Sequence, residues 1–157
     1  MNIILFILHI TFLLNIFLNS HQHINNMEAW ITKNPYAKAR LYVQCTWFAW
    51  GRFYEFYIYY PGFTGNGWDC VNELLKAHPN KFKRSTTPKE GAVFSGICKN
   101  HVGIVLKVDG NNITIQDGNY DGITNAFEDA KSDRKTVTNT LDCYRSRMGG
   151  VMLGNPK

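Results

Sequence analysis

Charge is missing from the start of this 157-residue chain: no Asp, Glu, Lys or Arg precedes Glu28. The same stretch is apolar, with Ile3-Ile4-Leu5-Phe6-Ile7-Leu8 and Phe12-Leu13-Leu14 interrupted by His9, Thr11 and Asn15. It is short and broken for a membrane span, so residues 1–20 are expected to be a secretory signal peptide. A Lys or Arg near the start and a small-x-small cleavage site are both lacking, with Ser20 a candidate for the cut. The rival expectation is an uncleaved signal anchor through residues 3–18.

Other absences narrow the classes further. None of the four cysteines stands in a Cys-x-x-Cys pair, and Cys98-Lys99-Asn100-His101 has a ligand-like gap without a second pair, so neither a metal site nor a cofactor is expected. His21-Gln22-His23 reads as part of a mature terminus rather than as a ligand pair. No stripe of Lys or Arg alternates with stacking aromatics; Lys81-Phe82-Lys83-Arg84 is short and expected to be a solvated loop, which argues against nucleic acid as a partner. No internal repeat or low-complexity tract is found. With 45% hydrophobic and 14% aromatic residues, disorder is excluded and a packed core is expected. The length fits one domain after the leader, with residues 21–35 as a linker and 36–157 as a monomeric domain.

What is present begins with Cys45, in Gln44-Cys45-Thr46-Trp47-Phe48-Ala49-Trp50-Gly51-Arg52. No proline follows and the first glycine is Gly51, so a helix opening at Cys45 is expected. A thiol at a helix start has its pKa lowered by the partial positive charge there, and a nearby imidazole lowers it further, which is what a thiolate nucleophile needs. His101 heads the apolar run His101-Val102-Gly103-Ile104-Val105, closed by Asp109-Gly110-Asn111, and is expected at the start of a strand. In Ile113-Thr114-Ile115-Gln116-Asp117-Gly118-Asn119, alternation puts Asp117 and Asn119 on the face of Ile113 and Ile115. Taken singly, a buried Cys is more often an inert small hydrophobe, and Asp117-Gly118-Asn119 would pass for a polar turn.

The coarse order is a short helical piece near Met27 to Thr32, the helix at Cys45, and a glycine-containing loop from Pro61 to Gly67. A second helix from Trp68 to Ala77 follows, with Val71, Leu74 and Leu75 at helical spacing. Strands near Ala92, Val102, Ile113, Val137 and Val151 would make a small antiparallel sheet, an α+β arrangement. The aromatic run Phe53 to Tyr60 is expected to pack and in part to line a groove. If Cys45 is a free nucleophile, Cys70, Cys98 and Cys143 leave room for at most one disulfide.

Gln44 to Arg52 resembles the opening motif of CHAP domains, the cysteine- and histidine-dependent amidohydrolases and peptidases of cell-wall lysis. Gly65-Asn66-Gly67-Trp68, Pro88-Lys89-Glu90-Gly91-Ala92-Val93-Phe94, the His101 strand, the segment ending in Asp117, Asn119 and Tyr120, and Gly150-Val151-Met152-Leu153-Gly154 match in the same order. The resemblance covers roughly Tyr36 to the end. It implies a papain-like α+β fold with N-terminal helices packed on a small antiparallel sheet. It also implies Cys45 as nucleophile, His101 as base, Asp117 where the family more often has glutamate, and Asn119 beside it. Gln44 is a candidate oxyanion donor and Trp47 a candidate substrate contact. Some CHAP domains carry an aspartate-rich calcium loop before the nucleophile; Asn34 to Arg40 has no acidic donor, so no calcium is expected. The activity implied is cleavage of a peptidoglycan amide bond, as amidase or endopeptidase, by an exported protein. Its net charge of +5, all beyond position 27, would favour anionic wall polymers. The alternatives are a Cys-His acyl-transfer effector or toxin acting on protein, or a catalytically dead wall-binding module.

Overall fold

The computed structural model describes residues 28–42, 44–119 and 135–157. The leader, residues 21–27 of the linker and Tyr120 lie outside the described residues. Among those described, no helix is long and apolar enough to cross a membrane.

The helical piece expected near Met27 is a π-helical turn, Glu28–Thr32. Helix α1 (Pro35–Lys38) follows, capped by Asn34, whose side chain accepts from Tyr36 N. Helix α2 (Cys45–Tyr57) opens at Cys45 after Gln44 in extended conformation and closes on Ile58 at φ 57°, with the Ile58 N–H returned to Tyr54 O. Nine of its residues are buried, including the unbroken run Cys45 to Gly51, so its first two turns are packed nearly all round. Gly51 is required there, because a Cβ would enter the Trp30 ring. Helix α3 (Cys70–Ala77) starts two residues later than expected and buries Cys70, Val71 and Leu74.

Six strands form one sheet: β1 (Phe82–Ser85), β2 (Val93–Gly96), β3 (His101–Asp109), β4 (Asn112–Asp117), β5 (Lys135–Thr140) and β6 (Val151–Pro156). Their order is β1-β6-β2-β3-β4-β5 and every neighbouring pair is antiparallel. One core lies where α2 and α3 meet the sheet, with Phe53, Phe63, Val71, Leu74, Val93, Val102 and Ile104. The other gathers Phe94, Val105, Ile113, Ile115, Leu153 and Tyr144. Tyr144 belongs to α4 (Leu141–Met148), which starts at Thr140, whose hydroxyl accepts from Cys143 N, and stops at Gly149 at φ 61°. Truncating a fully buried aromatic such as Phe53 typically costs about 3–5 kcal/mol.

Two local expectations are corrected. Phe82 to Ser85 is an edge strand rather than a solvated loop, because Phe82 is 2% exposed and pins the segment to the core while Lys83 and Arg84 stay in water. Helix α4 was not expected at all. Cys45, Cys70, Cys98 and Cys143 are all free thiols.

Candidate active site

Cys45 is the first residue of α2, so the free N–H groups of the opening turn gather at its end of the helix. It is 7% exposed, and its Sγ lies 3.9 Å from Asn100 O. The next residue, His101, begins β3 and presents its ring to both other groups. Nε2 lies 2.8 Å from Asp117 Oδ2, and the Cys45 side chain is near enough to act on the imidazole electrostatically. A carboxylate only accepts, so Nε2 carries the proton and Nδ1 is the ring nitrogen left for sulfur. Burial by itself lowers the imidazole pKa; the hydrogen bond to Asp117, the nearby Cys45 thiol and the charges of both outweigh it and push the value up to about 10.

Strand alternation delivers Asp117. Ile113, Ile115 and Asp117 are the buried residues of β4 and point one way. Gly103, two residues after His101, clears the space: a Cβ there would stand 3.1 Å from Asp117 Cβ and 2.8 Å from Ile115 Cγ2. The shorter acid therefore reaches the ring because β3 carries no side chain where the two strands would crowd. Gly118 makes a similar allowance for α2, since a Cβ on it would lie 2.7 Å from Phe48 Cβ.

Asn119 turns the chain at φ 54°, and its Nδ2 donates to Gln44 Oε1 at 3.0 Å. The structure thus brings Cys45, His101 and Asp117 into one relay and sets Asn119 against Gln44 rather than against the imidazole. Trp47 does not join them. It is 2% exposed, its indole N–H is committed to Trp30 O at 2.9 Å, and its ring packs on Trp30 at 4.8 Å between centroids. Being two residues into a buried helical turn, it supports the helix from within and has no face for a substrate.

A cleft of about 500 Å³ opens over the thiol. Tyr36, Leu41, Thr64, Asn66 and Asn100 stand around Cys45 and Gln44, and no lining residue is charged. One wall, Thr64 to Gly67, is tied from behind by side chains that sequence reasoning missed. Glu73 Oε2 accepts from Thr64 N at 2.6 Å and from Gly65 N at 2.9 Å. Tyr36 OH donates to Gly65 O at 2.7 Å, Cys70 Sγ to Asn66 O at 3.3 Å and Ser95 Oγ to Gly67 O at 2.7 Å. Burial pushes both the Tyr36 phenol and the Cys70 thiol well above their usual ranges, so both keep the proton they donate. Tyr36 and Ser95 reach the wall from 29 and 28 positions away, and the shorter-range Glu73 and Cys70 contacts match no turn or capping pattern. Among the described residues, no group of three or more His, Cys, Asp or Glu is placed to hold a metal ion.

A model of the CHAP domain family matches residues 32–119 of the chain, a span that holds all the site residues named above and stops short of β5, α4 and β6. No curated protein matches. Among solved structures, an N-acetylmuramoyl-L-alanine amidase from Staphylococcus aureus is similar at 21% identity and a TM-score of 0.53, over 73% of this chain and 31% of that one. Ly7917, solved with the hydrolysing product of MDP, is similar at 24% identity and a TM-score of 0.41, over 59% of this chain and 38% of that one. This chain thus spans about a third of the length of the first protein and about two fifths of the second.

Proposed function

The chain belongs to the CHAP domain family, and from that premise we propose that it is an exported hydrolase that cleaves an amide bond of peptidoglycan with Cys45 as nucleophile. The observation that carries this reading is the convergence of three groups: Cys45 lines an open cleft with its Sγ against Asn100 O, and the next residue, His101, holds the Asp117 carboxylate at 2.8 Å. Cys45 Sγ attacks the amide carbonyl, and the oxyanion is met by the Cys45 N–H at the helix start and by the Gln44 side-chain amide. Because Gln44 Oε1 is held by Asn119, the Gln44 Nε2 donor is the half of that amide left to face the cleft. His101, charged by then, gives a proton to the departing amine as the tetrahedral species collapses to a thioester. It next takes a proton from water, which attacks the thioester and frees the carboxylate. Asp117 fixes the tautomer and stabilises the imidazolium throughout.

The glycan-proximal amide, a stem-peptide bond and a cross-bridge bond all suit this chemistry. Digesting purified walls with the mature protein and mapping the new termini by mass spectrometry tests the reading and names the bond. New amine termini that vanish with Cys45→Ala support it. Intact walls combined with thiol-dependent acyl transfer onto a protein would replace it with the transferase alternative.

A further inference from the structure

The positive charge of the chain does not serve the cleft, whose lining is uncharged. Six of the chain's 17 Lys and Arg residues gather at one edge of the sheet. Lys83 and Arg84 project into solvent from edge strand β1. Lys81 precedes them and accepts at its carbonyl from Lys157 N at 3.0 Å, which sets the Lys157 chain alongside. Lys83 is paired in register with Asn155, whose Nδ2 donates to Thr87 O, and Arg145 Nη2 donates to Thr86 O beside it. Lys89 Nζ reaches Pro156 O at 3.4 Å. All six cations are exposed. The carboxylates nearby are Asp142, paired with Arg145, and Glu90, which accepts from Val108 N.

Lysines on an edge strand also discourage sheet-to-sheet aggregation. That need applies to both edges, yet β5, the opposite edge, has one charged residue in six, Lys135 at its start. The cations here also continue past β1, onto the following turn, α4 and the end of β6. Their spread matches a flexible polyanion laid along an edge better than a single bound ion.

We propose that the β1 edge, with Lys81, Lys83, Arg84, Lys89, Arg145 and Lys157, is a docking surface for a phosphodiester polymer borne by the cell wall. It holds the hydrolase against its insoluble substrate while the uncharged cleft reads the bond to be cut. The choice of a wall polymer rests on the function proposed above; the charged edge itself does not.

The test is sedimentation of Cys45→Ala protein with purified walls, native or chemically stripped of their phosphate polymer, across a salt series. The triple substitution Lys83→Gln, Lys89→Gln and Lys157→Gln spares Arg84, whose guanidinium donates to Asn72 Oδ1, and Arg145 on Thr86 O. It is expected to weaken binding to native walls about ten-fold at low salt and to make the salt slope shallower by about two. Both proteins should bind stripped walls equally weakly, and the triple variant made with Cys45 intact should turn over a soluble muropeptide at the wild-type rate. Equal binding of both proteins to native walls overturns the proposal. So does a loss seen only with anionic vesicles, which would make the partner a membrane, or only with DNA. If wild-type protein hydrolyses no muropeptide, the proposed function fails while the binding comparison still decides this inference.

Discussion

Gln44 and Asn119, separated by 75 positions, are joined by a 3.0 Å hydrogen bond from the Asn119 amide to Gln44 Oε1. The residue before the nucleophile is thereby oriented by the turn that ends the acid-bearing strand. Gln44→Ala should lower kcat about a hundred-fold with little change in KM, the usual cost of one oxyanion donor. Asn119→Gly keeps the left-handed turn at φ 54° while deleting the amide, and should cost less, about ten-fold. Steady-state kinetics on a soluble muropeptide checks the ranking; a larger loss for Asn119→Gly would move the principal role to Asn119.

The pKa of His101 is about 10 in the fold, against an ordinary 6.5. Stability from a raised pKa is complete below 6.5 and is lost as pH climbs through 10. The thermal midpoint should therefore fall across that window, and fall less in His101→Gln. Activity should decline on the same alkaline limb, because the imidazolium must protonate the leaving amine. Asp117→Asn removes the negative charge that sustains the imidazolium, so it should cut kcat by on the order of a hundred-fold or more and shift the limb to lower pH. A limb unmoved in Asp117→Asn would refute the pairing as the source of the shift.

Glu73 is the positioning residue for the cleft wall, with one carboxylate oxygen on two backbone N–H groups. Glu73→Gln should raise KM several-fold while kcat holds, and amide exchange at Thr64 and Gly65 should quicken by NMR. Unchanged exchange at those two amides would mean that Tyr36, Cys70 and Ser95 suffice.

Gly118→Ala puts a methyl group 2.7 Å from Phe48 Cβ. Forcing β4 off α2 should cost about 1–3 kcal/mol by urea unfolding. It should also lower kcat, since Asp117 is the neighbouring residue. Full stability with full activity would show that the helix gives way freely.

How much of this was legible depended on the range of the interactions. Cys45 and His101 announced themselves through local words, and Asp117 through period-two alternation, a property of a single strand. Trp47 misled because a helix start places its second residue after the thiol inward, something only the surrounding shell determines. Strand β1 was hidden because Phe82 alone anchors it and its neighbours are cations. Helix α4 was hidden because Tyr144 is its single buried residue, too few for a periodic signal. Gly103 could have been found: a glycine amid Val102, Ile104 and Val105 is a recognised mark of close backbone approach.

The position of β6 between β1 and β2 governs when the protein can come into being. A ribosome releases β1 and β2 well before Val151–Pro156, and until that segment emerges the place between β1 and β2 is an empty slot. Leu153 and Asn155, both buried, cannot be supplied by anything made earlier. Nascent chains therefore leave the place of β6 unfilled until residues 151–156 have been made, and pairings of such long sequence separation form slowly once they can. A domain built this way cannot close its sheet until residue 156 has left the ribosome.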